Sequence, residues 1–239
     1  MRHRGIVIGM VLVALVCVSA VVCAQSADEW LDKGVEAFRV GDYETAIECW
    51  TKTIELDPGY AKAYNNRGVA YGELGRFEEA IDDYKKAVEL DPGYVYAYNG
   101  LGNAYSELGR YDEAVAIFTD LIQRDRNEAS GYGGRGWTYY RMGDYDMALG
   151  DVTIAVNLDP GNPYTLCNRA SIYRELGIYD EAMADANRSL ELKPRGWTYY
   201  TRGLIYRDMG DIEKARADIT KACDMGTEEA CAALFELGP

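Results

Sequence analysis

The chain is 239 residues long, 48% hydrophobic, 12% aromatic and 27% charged, with 39 acidic against 25 basic side chains and a net charge of −14. This is a soluble globular composition; only residues 6–22 form a long apolar run, which excludes a multi-span membrane protein, and six prolines without a biased tract exclude a disordered chain. The acidic excess argues against nucleic acid as a partner, and a single histidine, His3, leaves no imidazole downstream for catalysis or metal binding.

At the amino end, Arg2 and Arg4 precede an apolar stretch from Ile6 to Val22, and the chain turns polar at Gln25, Ser26, Asp28 and Glu29. This layout predicts a secretory signal peptide over residues 1–24, cleaved after Ala24. Bacterial lipid acylation wants a small residue before the cysteine, whereas Val16 and Val22 precede Cys17 and Cys23. The alternative is an uncleaved anchor, because residues 6–22 approach the roughly 20 needed to span a bilayer. Either reading places the rest of the chain outside the cytoplasm, in a periplasm, cell envelope or extracellular space. Membrane contact is expected only through such an anchor.

From Trp30 onward the chain repeats itself. Ala46, Ala80, Ala114, Ala148, Ala182 and Ala215 are separated by 34, 34, 34, 34 and 33 residues, and a glycine stands five residues before each. Units begin at Ala27, Ala61, Val95, Ala129, Pro163 and Gly196. Position 8 of each unit is glycine or alanine, position 11 is tyrosine in five units (Tyr71, Tyr105, Tyr139, Tyr173, Tyr206), and position 32 holds Pro58, Pro92, Pro160 and Pro194. Each unit predicts two amphipathic helices of about 14 residues, split by a glycine able to take a positive φ. Arg126 replaces the proline in the third unit, which predicts a looser turn there. The hexapeptide Arg-Gly-Trp-Thr-Tyr-Tyr at 135–140 and 195–200 is no guide to register, since aligning its copies would displace Gly210 and Ala215 by seven residues.

This pattern resembles the tetratricopeptide repeat (TPR) family over residues 27–226, as six units: 27–60, 61–94, 95–128, 129–162, 163–195 and 196–226. The resemblance implies an all-α, right-handed superhelical solenoid. It also implies a non-enzymatic scaffold that holds a peptide or partner helix in a concave groove lined by positions 2, 5, 9, 12 and 13 of each first helix.

Position 7 is arginine in four units (Arg67, Arg135, Arg169, Arg202), and position 23 of the same units is aspartate (Asp83, Asp151, Asp185, Asp218). A helix-to-helix ion pair is expected in each, with Leu101 and Ile117 as its apolar replacement in the third unit. Lys33 and Cys49 of the first unit do not fit. After the sixth unit, Thr227 begins a last helix that covers the end of the stack, so residues 227–239 are read as a capping helix and tail. Cys223 and Cys231 are either a bridge between the last two helices or two small buried residues.

Among 20 tyrosines, 14 fall at framework positions 4, 11, 17 or 24 and are assigned to packing. The candidate groove residues are Lys62, Asn65, Tyr96, Asn99, Asn103, Trp137, Tyr140, Arg141, Tyr164, Arg174, Trp197 and Tyr200, with amides in the amino half and aromatics towards the carboxyl half. Groove charges balance. The three-repeat carboxylate clamp of TPR chaperone adaptors is not matched, because Leu31, Val35, Tyr96 and Gly100 stand where it needs polar groups. No catalytic constellation, cofactor or metal is expected, and the sequon at Asn187 is given no role. The partner class is a protein or peptide. The competing reading is a structural component that assembles through its ends and edges.

Overall fold

The structure is a computed structural model that describes residues 25–236; the predicted signal segment lies outside them. The described residues form thirteen α-helices and no strand: α1 (Ala27–Arg39), α2 (Tyr43–Leu56), α3 (Ala61–Glu73), α4 (Phe77–Leu90), α5 (Val95–Glu107), α6 (Tyr111–Arg124), α7 (Ala129–Met142), α8 (Tyr145–Leu158), α9 (Pro163–Glu175), α10 (Tyr179–Leu192), α11 (Gly196–Asp208), α12 (Ile212–Asp224) and α13 (Glu228–Glu236). Each odd-numbered helix packs on the even-numbered helix that follows, and α3, α5, α7, α9 and α11 also touch one another in order. The result is an all-α solenoid with the odd-numbered helices lining one side.

The helix ends explain the period. Gly41, Gly75, Gly109, Gly143, Gly177 and Gly210 end the first helix of their pairs with φ between 71° and 85°. The next residue's N–H then reaches back to the carbonyl at position 11, from Asp42 to Ala37 and from Arg76 to Tyr71 onward, at 2.8–3.0 Å in all six pairs. That bond satisfies a carbonyl the helix leaves open. Side-chain caps follow at Asp42, Asp144 and Asp211, while α4, α6 and α10 have none and instead place two acids in the first turn.

The junction at Arg126 corrects the expectation of a looser turn. Asp125 accepts the Asn127 N–H at 2.8 Å, as Asp57 and Asp91 accept from Gly59 and Gly93 at 2.9 Å. The aspartate's turn sets the connection, and proline at the next position is dispensable to it.

Between helices, the residue at position 24 decides the spacing. Trp50, Tyr84 and Phe118 press on Gly34, Gly68 and Gly102 of their own pairs; Tyr84 and Phe118 also press on Gly100 and Gly134 of the next. Where position 24 shrinks to Ala186, position 8 grows to Ala170, and both are fully buried beside Ile205. The two helices of each pair thus stay in close contact although the residue at position 24 ranges from tryptophan to alanine.

The four expected ion pairs are present as two-pronged contacts. Arg67 Nε lies 2.7 Å from Asp83, and Arg135, Arg169 and Arg202 lie 2.6 Å from Asp151, Asp185 and Asp218. Three of these arginines also donate backward, to Thr51, Thr119 and Asn187 of the preceding pair. Leu101 and Ile117 belong to an apolar cluster with Phe118 and Tyr84. Here the preceding pair offers Lys85 in place of a hydroxyl, and Lys85 lies over the Tyr105 ring. At the carboxyl end, Cys223 and Cys231 form a disulfide that ties α12 to α13.

Candidate ligand groove

The odd-numbered helices present a trough, and a hollow of about 520 Å³ crosses α5, α7 and α9. Four of the candidate residues meet there: Asn99, Asn103, Trp137 and Tyr164. Asn99 donates to Ser130 Oγ at 2.8 Å, so its carbonyl oxygen is left for a ligand. Asn103 is exposed on the next turn of α5. The Trp137 ring stacks on Tyr140, with centroids 4.8 Å apart and planes 18° from parallel. Tyr164 is 53% exposed and lies under the Arg195 guanidinium, 3.8 Å from its ring centre. The hollow therefore offers amides and hydroxyls beside flat aromatic faces, a mixture that suits a peptide backbone with intermittent side-chain anchors.

The hollow exists because α7 carries Gly133 at position 5, where the other pairs have Leu31, Asn65, Asn99, Cys167 and Tyr200. A methyl there would meet only Ala155, at 3.9 Å. Ser130, Asn162, Thr165 and Asn168 also line it. These polar residues were not among the sequence candidates; Asn162, Thr165 and Asn168 lie off the expected groove positions, and the absent side chain of Gly133 was the available signal.

The remaining candidates sort by their contacts. Asn65 is buried, donates to Asn66 at 3.3 Å and leaves its own oxygen without a partner. Tyr96 is 73% exposed and meets the Tyr94 ring edge-on. Lys62 is exposed near the start of α3. Arg141 pairs with Glu107 of the preceding odd-numbered helix at 2.7 Å, and Arg174 pairs with Glu175 and, at 3.5 Å, with Asp208 of the following one. Tyr140 is partly buried, which pushes its phenol above the usual range. Trp197 and Tyr200 form their own edge-on pair beyond the hollow, and Tyr200 packs on the cluster of Ile219, Ala222 and Ala230.

Towards α1 the trough turns apolar. A hollow of about 210 Å³ is lined by Val35, Phe38, Trp50, Asn66 and Val69. The next, about 230 Å³, shares Val69 with it and shares Asn103 and Glu107 with the hollow across α5, α7 and α9. Among the described residues no group of three or more metal-ligating side chains is placed to hold an ion, and no helix is long and apolar enough to cross a membrane.

Comparison with known proteins agrees with this architecture. Chains of known structure similar to this one include a tetratricopeptide repeat protein from Parabacteroides merdae, 24% identical, with a TM-score of 0.76 over 88% of this chain and 83% of that one. PilW, described as a type IV pilus biogenesis factor, is 17% identical with a TM-score of 0.71 over 87% of this chain and 98% of its own. YrrB, described as a TPR protein with an unusual peptide-binding site, is 26% identical with a TM-score of 0.50 over 78% of this chain and 98% of its own. A search of curated proteins gave no match. Models described as tetratricopeptide repeats match residues 61–94, 83–116, 134–196 and 198–225, and one described as a TPR repeat matches 37–75. These stretches together span more than half of the sequence, and the chain belongs to the tetratricopeptide repeat proteins.

Proposed function

We propose that this protein is an exported, non-enzymatic adaptor that holds an extended peptide or a partner helix in its concave groove. TPR proteins in general serve as interaction scaffolds. The observation that carries the reading for this chain is the hollow where Asn99, Asn103, Trp137 and Tyr164 converge from three helices around the gap left by Gly133. Amides there bridge to a ligand's backbone and the aromatic faces anchor its side chains. The peptide-binding site described for YrrB lends support from a relative of similar repeat structure.

Export rests on the amino-terminal segment, and the Cys223–Cys231 disulfide supports it, since such bonds persist in oxidising compartments. The test is capture from the cell-envelope fraction by the full chain beside a version with Asn99, Asn103, Trp137 and Tyr140 changed to alanine, both checked for equal helicity. A partner held by the first and lost by the second is the expected result. Equal capture moves binding off the groove and favours assembly through ends and edges. Amino-terminal sequencing of the native protein is expected to begin at Gln25; an intact amino terminus in the membrane fraction would make residues 6–22 an anchor.

A further inference from the structure

Resting on the groove reading, we propose that Arg195 sets the ligand's specificity: it receives an aspartate or glutamate side chain of the bound segment at the Tyr164 edge of the hollow. The charge balance of the surrounding helices, the setting of the guanidinium and the course of the trough lead there.

Six arginines lie within α7, α9 and α11, and each pairs with a carboxylate. The two acids of these helices, Glu175 and Asp208, end α9 and α11 and are both taken by Arg174. Among the described residues that line the hollow, Glu107 is the one carboxylate, and Arg141 holds it at 2.7 Å. Arg195 stands just before α11; it has no carboxylate partner among the described residues, and its buried Nε meets no acceptor. A cation is thus left over in a chain whose net charge is −14. Holding it partly out of water without a partner has a cost that a ligand carboxylate would offset.

The setting decides how a ligand meets it. The guanidinium carbon lies 3.8 Å from the centre of the Tyr164 ring, and Tyr164 lines the hollow. A guanidinium resting on a ring is held in place and still offers its in-plane N–H groups to a carboxylate. The start of α11 adds to the same field, since no side chain caps it and its first turn holds no acid. One guanidinium matches one negative charge, whereas a second on the ligand would meet only the acidic excess of the chain, so a carboxylate fits better than a phosphate dianion. Beyond Tyr164 the trough continues onto α11, where Trp197 is 41% exposed beside Tyr200. A bound chain therefore passes Arg195 instead of ending there, and the carboxylate belongs to a side chain.

The experiment uses the full chain to select from a displayed library of random dodecapeptides with free carboxyl ends. The most enriched peptide, labelled at its amino end and amidated at its carboxyl end, is titrated by fluorescence anisotropy. The proteins are the wild type, Arg195→Gln, Arg188→Gln, and Asn99→Ala with Asn103→Ala. Glutamine at 195 strands no carboxylate, and Arg188→Gln removes the same charge from the outer helix α10, where Arg188 pairs with exposed Glu191, so equal helicity by circular dichroism is expected. Expected are peptides with an internal acidic residue, bound about tenfold more weakly by Arg195→Gln and equally well by Arg188→Gln. Changing that acid to its amide should cost the wild type as much and Arg195→Gln nothing further. Enriched peptides without an acid, a loss in Arg195→Gln that is absent or matched by Arg188→Gln, losses that add when acid and arginine are changed together, or binding seen only with the carboxyl end left free each overturn the inference. Weaker binding by the asparagine variant in those cases leaves the groove reading intact. If no peptide is recovered, or neither the asparagine variant nor Arg195→Gln changes binding, the groove reading falls as well.

Discussion

At the residue scale, two glycines of one helix pair have opposite consequences. Gly150 lies exposed within α8 with no atom near enough to meet an added methyl, so Gly150→Ala gains the helix preference of alanine. An increase of about 1 kcal/mol in unfolding free energy is expected from chemical denaturation. At Gly136 a methyl would sit 2.5 Å from Val152 Cγ2 and 3.1 Å from the Ala148 carbonyl oxygen and the Val152 nitrogen. Backbone cannot move aside as a side chain can, so Gly136→Ala is expected to cost about 1–3 kcal/mol in the same measurement. The ion pair of these two helices gives a second contrast. Asp151→Ala leaves Arg135, 19% exposed, without its carboxylate and is expected to cost about 3 kcal/mol. Arg135→Leu with Asp151→Ile copies the Leu101 and Ile117 contact of the third pair and is expected to cost less than about 1 kcal/mol, because no buried charge is stranded. Equal losses in the single and double variants would mean that the charges, rather than the filled space, hold α7 to α8.

At the element scale, helix ends titrate and the last helix is tied. Arg76 holds the Glu79 carboxyl below its usual range, and Arg110 does the same to Glu113 at the start of α6. A lowered acid stabilises the fold above its unfolded pKa, and that support is lost as pH falls through the lower folded value. The first turns of α4 and α6 are therefore expected to loosen only below about pH 4, with carboxyl NMR titration midpoints below those of free glutamate. At the other end, the disulfide joins residues eight apart and fixes α13 over Ile219 and Ala222. Cys231→Ser is expected to raise hydrogen exchange throughout α13 while leaving α1 to α10 unchanged, with a loss of about 2 kcal/mol from the reopened loop. The sequence spelled out most of this level. The spaced glycines and alanines announced two helices per unit, and paired changes at positions 7 and 23 announced the ion pairs. The turn at Asp125 was misread because proline is the conspicuous residue there, while the bond that shapes the turn comes from the aspartate before it.

At the scale of the whole molecule, period identifies which side of each helix faces the groove but not how deep a side chain sits in it. Asn65 and Asn99 share a repeat position, yet Asn65 is buried and donates to its neighbour Asn66, whereas Asn99 reaches across to Ser130 of α7. The hollow was likewise hard to read, since its cause is a missing side chain at Gly133. That gap sets stability against binding in a single position. Gly133 lies within α7 at negative φ, and an added methyl meets only Ala155 at an ordinary 3.9 Å. Leu31, at the same position of α1, is buried against its neighbours. Gly133→Leu is therefore expected to raise unfolding free energy by about 1 kcal/mol or more through helix preference and apolar burial. The same leucine occupies the floor of the hollow between Asn99 and Trp137, so ligand affinity is expected to fall at least about tenfold. Denaturation and anisotropy on one protein sample check both halves. A variant that is more stable and binds unchanged would place the ligand elsewhere on the solenoid; one that is less stable would mean that α7 needs its glycine for packing, and the hollow would then be a by-product of the fold.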